Sequence, residues 1–133
     1  MSKKISVLIV EDDKSIMNAY KYKFDEVGFK VMVANNGDEA LRLIKKNIPD
    51  IILLDILMPV KDGFETLVEL KQNKNWQKIP VIVASNLGEE KDIAKAFKLG
   101  ADEYIVKSKL SLGDLVEKIK ATFTKNSYYE DTI

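Results

Sequence analysis

The sequence contains neither cysteine nor histidine, and these two absences exclude much of the chemistry open to a chain of 133 residues. Without cysteine there are no disulfides, no thiol nucleophiles and no thiolate metal ligands. Without histidine, neither a Ser-His-Asp mechanism nor a His-ligated zinc or iron site can be built. Any metal must therefore be held by oxygen atoms, which favours Mg²⁺, Ca²⁺ or Mn²⁺.

The sequence also lacks long apolar runs and an excess of charge of either sign. Unbroken apolar runs such as residues 7–10 and 51–54 are too short for a membrane span or a signal peptide. Lys+Arg and Asp+Glu number 21 each, so no basic excess indicates a nucleic-acid surface. We therefore expect a cytoplasmic protein that binds neither membrane nor nucleic acid.

Five short apolar runs alternate with five segments of helical periodicity. Three of the runs are apolar at every position, which is typical of parallel strands buried on both faces. The alternation predicts an α/β fold with a doubly wound, parallel five-stranded sheet and helices on both sides. The predicted strands are residues 5–10, 31–34, 51–54, 81–84 and 104–106.

The predicted helices begin and end at recognisable residues. Asp13 and Ser111 precede helical segments as N-caps, and Gly28 and Gly100 follow others as C-caps. Beyond residue 121 the periodicity is lost, so residues 122–133 are expected to be the end of the last helix or a flexible tail. The predicted apolar face of the fourth helix is Ile93, Ala94 and Phe97, and that of the fifth is Leu112, Leu115, Val116 and Ile119.

Polar side chains follow four of the five predicted strands. Ligands of open α/β sheets bind at the carboxyl ends of the strands, so we expect these side chains to meet at one edge. Carboxylates a few ångströms apart repel one another by roughly 4 kcal/mol at an effective dielectric constant of 20, which a divalent cation or a lysine would relieve. Such a set suits Mg²⁺-dependent phosphoryl transfer. The residues are Glu11 and Asp12 after the first strand, Asp55 after the third, Ser85 after the fourth and Lys107 after the fifth.

Each of these residues also has a simpler interpretation. A carboxylate after a strand often caps the next helix, a serine there is usually a turn residue, and a lysine is commonly solvated. Asp55 is harder to explain in this way, because it directly follows four apolar residues that must be buried. The joint position of the set favours the functional interpretation.

Four segments of the chain resemble the receiver domains of two-component response regulators, including single-domain chemotaxis regulators. These segments are residues 7–13, 50–63, 80–85 and 100–107. The resemblance implies a flavodoxin-like sheet in strand order 2-1-3-4-5 flanked by five helices. It also implies a receiver domain over residues 1–121, with residues 122–133 as a C-terminal extension.

The resemblance implies a role for each residue at the predicted site. Asp55 would be phosphorylated by a sensor histidine kinase or a histidine phosphotransfer protein, in the presence of Mg²⁺ or alternatively Mn²⁺. Tyr104 would be an aromatic switch, although an ordinary half-buried aromatic is the simpler interpretation. The expected metal ligands are Glu11, Asp12, Asp55 and the Leu57 carbonyl; Ser85 and Lys107 would act with Asp55 and bind the phosphoryl group, and Ser85 would share the switch role.

The sequence departs from the family pattern in ways that affect the site. Ser108 stands where a proline usually follows the lysine, so the Lys107–Ser108 bond is either trans with a different loop or a costly non-proline cis bond. Glu11 stands where many family members have aspartate. Because its side chain is one methylene longer, it would contact the metal either directly or through a water molecule. Leu57 and Leu87 place apolar side chains near the expected water route, which predicts slow autodephosphorylation.

We therefore expect a signalling switch that promotes its own phosphorylation and dephosphorylation rather than an enzyme with turnover. The alternatives are a Mg²⁺-dependent aspartyl phosphatase and a receiver-like scaffold that is not phosphorylated. Leu57 disfavours the phosphatase, because such enzymes usually carry an aspartate two residues after the nucleophile. No output domain follows in the sequence as given, so output is expected through an unidentified partner protein, with the chain a monomer or a phosphorylation-dependent dimer. The expected contact face is helix four, strand five and helix five, lined by Lys91, Lys95, Lys98 and Tyr104.

Overall fold

The computed structural model describes residues 4–58 and 61–132, with side chains described through residue 126. Among these residues, five parallel strands form one sheet in the order β2-β1-β3-β4-β5. The predicted α/β fold and its strand order are therefore confirmed. The strands are β1 (Ser6–Val10), β2 (Lys30–Ala34), β3 (Ile51–Leu54), β4 (Val81–Ser85) and β5 (Glu103–Val106), and the helices are α1 (Lys14–Glu26), α2 (Gly37–Lys46), α3 (Gly63–Gln72), α4 (Glu90–Lys98) and α5 (Leu112–Thr132).

The core has two halves, one on each face of the sheet. Val7 and Ile9 of β1 pack with the apolar residues of α1 and α5, whereas Leu8 and Val10 pack with those of α2 and α3. Every residue of β3 and β4 is buried. Burial on both faces explains why these strands are apolar throughout rather than alternating.

Side chains and glycines fix the helix ends where the sequence predicts them. Asp13 accepts a hydrogen bond from the Ile16 N–H at 3.0 Å, and Ser111 accepts one from the Asp114 N–H at 3.1 Å. Both predicted N-caps are thereby confirmed. Gly28 ends α1 with a φ of +93°, a left-handed conformation that favours glycine.

The predicted apolar faces of α4 and α5 are wrong in part. Ala96 is the buried residue of α4, while Ala94 is exposed and the Phe97 side chain is 44% exposed. The Ala96 carbonyl accepts a hydrogen bond from the Ala101 N–H after the turn, which holds this side of the helix against β5. Leu112 lies on the first turn of α5 and is also exposed, although Leu115, Val116 and Ile119 are buried as expected.

The last helix extends well beyond the predicted domain boundary. Its backbone is helical through Thr132, so residues 122–132 continue α5, and Ile133 lies outside the described residues. The separate role of this extension stays a prediction. Within the described part of the chain, no helix is both long enough and apolar enough to cross a bilayer.

Candidate functional site

The backbone hydrogen bonds of the sheet continue into the acidic residues at its carboxyl-terminal edge. The Glu11 N–H donates to the Ala34 carbonyl at 3.0 Å, and the Asp55 N–H donates to the Val10 carbonyl at 3.0 Å. Each acidic residue is therefore held at its backbone as firmly as the strand before it. The two side chains therefore start from adjacent strands, β1 and β3, at the same edge of the sheet.

Three carboxylates meet at this edge. One oxygen from each of Glu11, Asp12 and Asp55 lies within 4.8 Å of the other two. Glu11 and Asp55 are buried, with 2% and 5% of their surface exposed, whereas Asp12 is exposed. Asp13 contributes its carboxylate to the α1 cap instead, and its N–H donates to Glu11 Oε2 at 3.2 Å. The predicted carboxylate cluster is thus formed, with one member open to solvent.

Lys107 supplies the positive charge of the cluster. Its Nζ lies 2.5 Å from Glu11 Oε1 and 3.5 Å from Asp55 Oδ1. Glu11 is therefore the closer partner of the ammonium group. The residue opens a short 3₁₀ turn over Lys107–Lys109, and no peptide bond in the described residues is cis. The Lys107–Ser108 bond is thus trans, the first of the two alternatives.

The clustering changes the acidity of Asp55. Burial raises the pKa of its carboxyl group, the negative charge of Glu11 raises it further, and Lys107 opposes both, with a net pKa of about 7. For Lys107, burial alone would lower the pKa of the ammonium, but the hydrogen bond to Glu11 and the charge of Asp55 outweigh it and raise the pKa. A second positive charge at this edge would therefore favour ionised Asp55.

Ser85 and Tyr104 both form a hydrogen bond with the backbone of Leu87, in the loop after β4. Ser85 is fully buried at the end of β4, and its hydroxyl accepts a hydrogen bond from the Leu87 N–H at 3.1 Å. The Tyr104 hydroxyl donates to the Leu87 carbonyl. In the sequence, Leu87 is notable only for its apolar side chain. Its backbone contacts could not be predicted, because backbone hydrogen bonds do not depend on the residue type. The loop after β4 is thus tied to both predicted switch residues.

Leu57 presents its side chain to solvent next to the cluster. The side chain is 55% exposed, and the Leu57 N–H donates to Asp55 Oδ1 at 3.2 Å. The residue two positions after Asp55 therefore orients the carboxylate through its backbone and offers no proton donor from its side chain. Residues 59–60 of the same loop lie outside the described residues.

Residues 7–120 match the family model of the response regulator receiver domain. The chain belongs to this family. It is 36% identical over 124 residues to the transcriptional regulatory protein CpxR of Klebsiella pneumoniae, an alignment covering 93% of this chain and 51% of that protein. The chain spans about half the length of the curated relatives it matches.

Solved receiver domains share the fold closely. A CheY-like receiver domain protein from Methanospirillum hungatei has a TM-score of 0.87 and 26% identity, covering 96% of this chain and 99% of that one. The receiver domain of Francisella response regulator 1452 has a TM-score of 0.85 and 34% identity, covering 92% and 98%. Receiver domains are signalling switches of two-component systems and are generally non-enzymatic. Phosphorylation and Mg²⁺ binding are typical of the family. Receiver domains interact with histidine kinases or phosphotransfer proteins.

The donor set of this receiver fits Mg²⁺. The cluster provides three carboxylates with hard oxygen atoms, and the exposure of Asp12 leaves room for water ligands. Mg²⁺ typically binds through one or two carboxylates and keeps several waters. The mutual repulsion that raises the pKa of Asp55 is also relieved by a divalent cation.

The predicted output face is only partly as expected. Lys91 is highly exposed and pairs with Glu89 at 3.3 Å. The Lys95 ammonium lies 4.2 Å from the centre of the Phe64 ring, so this side chain packs towards α3 rather than towards α5. Helical spacing alone cannot show this, because it does not fix which way the helix is rotated against its neighbours.

Tyr20 is the residue at the site whose position sequence reasoning missed. Helical spacing in the sequence places it only among the apolar residues of the first helix, with Ile16 and Phe24. The side chain is buried, and burial raises the pKa of its phenol, with the charges of Lys107, Glu11 and Asp55 also acting on it. The available signal was chemical: a buried tyrosine usually needs a partner for its hydroxyl, which a leucine in the same place would not.

Proposed function

We propose that this receiver is a phosphorylation-dependent switch in which Asp55 accepts a phosphoryl group from a histidine kinase or a histidine phosphotransfer protein. The observation that carries the proposal is the convergence at Asp55. Its buried carboxylate lies with those of Glu11 and Asp12 within 4.8 Å and with the Lys107 ammonium at 3.5 Å. A nucleophile, a metal-binding set and a fixed cation at one point are what phosphoryl transfer requires.

The ionised Asp55 carboxylate would attack phosphorus in line. The new bond joins an Asp55 oxygen to phosphorus, while the bond from phosphorus to the donor breaks and the donor keeps that electron pair. With phosphohistidine as donor, the imidazole nitrogen leaves and takes up a proton. Lys107 then shifts from Glu11 towards the transferred group and neutralises part of its charge.

Mg²⁺, or alternatively Mn²⁺, would supply charge neutralisation for the phosphoryl oxygens when bound. Asp12 and Asp55 would hold it, together with the backbone carbonyl of Leu57. Glu11 would contribute directly or through water once Lys107 has moved away. The support for this assignment is the chemistry of the donor set, which is oxygen only.

The signal would pass through the loop after β4. A phosphoryl oxygen on Asp55 offers an acceptor for the O–H of Ser85, and because this hydroxyl also accepts from the Leu87 N–H, its movement would draw the loop with it. Because Tyr104 is bonded to the same backbone position, movement of the loop changes the position of the aromatic ring. The face of α4, β5 and α5 would then bind its partner protein differently in the two states.

The environment of Leu57 disfavours a phosphatase. Turnover requires a group that protonates the leaving oxygen, and the side chain at this position is an exposed leucine. The same side chain stands beside the attacked centre, which is consistent with slow autodephosphorylation. We expect the acyl phosphate to decay more slowly than free acetyl phosphate.

Incubation with acetyl phosphate and Mg²⁺, followed by intact-protein mass spectrometry, tests the proposal. The wild-type chain should gain one phosphoryl group, and Asp55→Asn should gain none. Asp13→Asn is the matched control, because Asp13 lies in the same cluster of strand ends but serves the α1 cap. Catalytic release of phosphate without an adduct would support the phosphatase, and neither adduct nor release would support the scaffold.

A further inference from the structure

Tyr20 is held rigidly beneath the phosphoryl-transfer site. Its ring stacks on Phe24 with centroids 5.9 Å apart and planes within 5°. Phe24 in turn meets Phe29 edge to face at 5.6 Å. All three side chains belong to the buried core on the α1 side of the sheet. The orientation of the phenol is therefore set by packing behind it.

The front of Tyr20 shares a cavity with Lys107. This cavity of about 340 Å³ lies between α1 and α5, and both residues line it. Among the described residues, none forms a hydrogen bond with the Tyr20 hydroxyl. The ring is buried, but the hydroxyl oxygen keeps some exposure, and a space of this size can hold a water beside the hydroxyl and the ammonium.

The Lys107 ammonium has a donor to spare for this cavity. An ammonium group has three N–H bonds, and its contacts to Glu11 and Asp55 use at most two of them. The other polar side chains that line the cavity belong to exposed residues, except Lys107 itself. Tyr20 is thus the buried polar residue that shares this cavity with the ammonium.

We infer that the Tyr20 hydroxyl positions the Lys107 ammonium, directly or through one water, for contact with the group on Asp55. This inference rests on the proposed function, since the contact matters only if Asp55 is phosphorylated. When Asp55 is phosphorylated, the Lys107 ammonium would leave the Glu11 carboxylate and bind a phosphoryl oxygen instead. During this exchange the ammonium must stay at the site rather than turn out into solvent. A hydroxyl on a ring that cannot move restricts the ammonium during this exchange.

The test is the affinity for beryllofluoride in the presence of Mg²⁺, measured by titration. Tyr20→Phe keeps the stacked ring and removes only the hydroxyl. We expect it to weaken beryllofluoride binding by roughly three- to tenfold, the effect of one lost hydrogen bond. Tyr22→Phe is the matched control, because Tyr22 is on the same helix with 74% of its surface exposed, and its affinity should equal that of the wild type.

A double-mutant cycle distinguishes positioning of Lys107 from a general effect on the fold. In a Lys107→Met background, Tyr20→Phe should no longer change the affinity. Equal affinities of the wild type and Tyr20→Phe would overturn the inference, and so would an undiminished effect in the Lys107→Met background. If the wild type forms no beryllofluoride adduct that Asp55→Asn abolishes, the proposed function fails and this inference fails with it.

Discussion

At the amino-terminal edge of the sheet, two carboxylates each accept a hydrogen bond from the first residue of a neighbouring strand, whereas at the carboxyl-terminal edge three carboxylates lie within 4.8 Å of one another. Asp50 accepts a hydrogen bond from the Ser6 N–H, and Asp102 accepts one from the Val81 N–H, both at 2.8 Å. At the opposite edge, Glu11 and Asp55 share one lysine. The same residue types thus stabilise one edge and remain in mutual repulsion at the other.

Two lysines, Lys71 at the amino-terminal edge and Lys107 at the carboxyl-terminal edge, differ in the same way. Lys71 donates to the carbonyls of Gln77 and Ile79 at 3.1 and 3.0 Å and lies 3.7 Å from Asp102. Burial lowers the pKa of Lys71, and Asp102 only partly offsets this. Lys107 has carboxylate partners, and its pKa is raised overall despite its burial. Two neutral carbonyls hold Lys71 more closely than its single carboxylate does, which suits a structural link, whereas the two carboxylates around Lys107 leave a site that a metal and a phosphoryl group can complete.

The largest expected difference between the edges is in Mg²⁺ affinity. Asp12→Asn removes a charged oxygen from the cluster, and we expect Mg²⁺ binding to weaken on the order of 10–100-fold. Asp102→Asn makes the same chemical change at the other edge and should leave the affinity within about twofold. Isothermal titration calorimetry measures both. Equal losses in the two variants would show that the metal responds to total charge rather than to this cluster.

The next contrast is in stability without metal. Asp55 has a folded-state pKa of about 7 against an ordinary value of 3.8, so the folded protein binds more protons than the unfolded chain between these values. The stability contributed by its protonated form is therefore lost as pH rises from about 4 to about 7. Each pKa unit corresponds to about 1.4 kcal/mol, and because water and salt screen part of the repulsion we expect roughly 2 kcal/mol in total.

Asp55→Asn should remove this loss. In chelator, denaturant unfolding should show the variant more stable than the wild type by about 2 kcal/mol near pH 8, with the difference vanishing near pH 4. The neutral amide lacks the charge that Glu11 repels, which is the reason for the gain. A variant that is less stable than the wild type near pH 8 would show that the cluster is not in repulsion.

The strand ends at the functional edge could be predicted from the sequence because topology alone places them there. Parallel strands bring Glu11, Asp55, Ser85 and Lys107 to one edge whatever the details of packing. The pairing of Lys107 with Glu11 in preference to Asp55 could not be predicted, because it depends on side-chain reach within a space that only the folded chain defines.

The rotation of α4 and the position of Tyr20 were beyond sequence reasoning for a related reason. Ile93, Ala94 and Phe97 form one plausible apolar stripe, but the small Ala96 is the residue that packs against the sheet. Tyr20 fits an apolar stripe as well as any aliphatic residue does. Helical periodicity indicates that a residue faces the core. It does not show which groups the polar end of that side chain contacts there.

A smaller effect is expected from removing a carboxylate at the amino-terminal edge. Asp102→Ala leaves the Val81 N–H without its acceptor and Lys71 without its carboxylate, so we expect a loss of about 1–2 kcal/mol in the free energy of unfolding. The sign is opposite to that expected for Asp55→Asn. Denaturant unfolding near pH 8 checks both in one series, and Asp102→Asn, which keeps an acceptor oxygen, should lose less. A gain in stability on removing Asp102 would erase the distinction between the edges.

The smallest expected effect tests how firmly Lys71 is held at the amino-terminal edge. Gly28 and Gly100 both have positive φ, so alanine at either position should cost about 1 kcal/mol in the free energy of unfolding. At Gly28 an added Cβ has open space, but at Gly100 it would lie 2.8 Å from Cγ of Lys71. If the contacts of Lys71 to the Gln77 and Ile79 carbonyls fix its stem, Gly100→Ala should cost about 0.5 kcal/mol more than Gly28→Ala. Equal costs in the two variants would mean that the Lys71 side chain moves aside freely. As a control, beryllofluoride binding should be unchanged in both variants, because neither glycine touches the carboxyl-terminal edge.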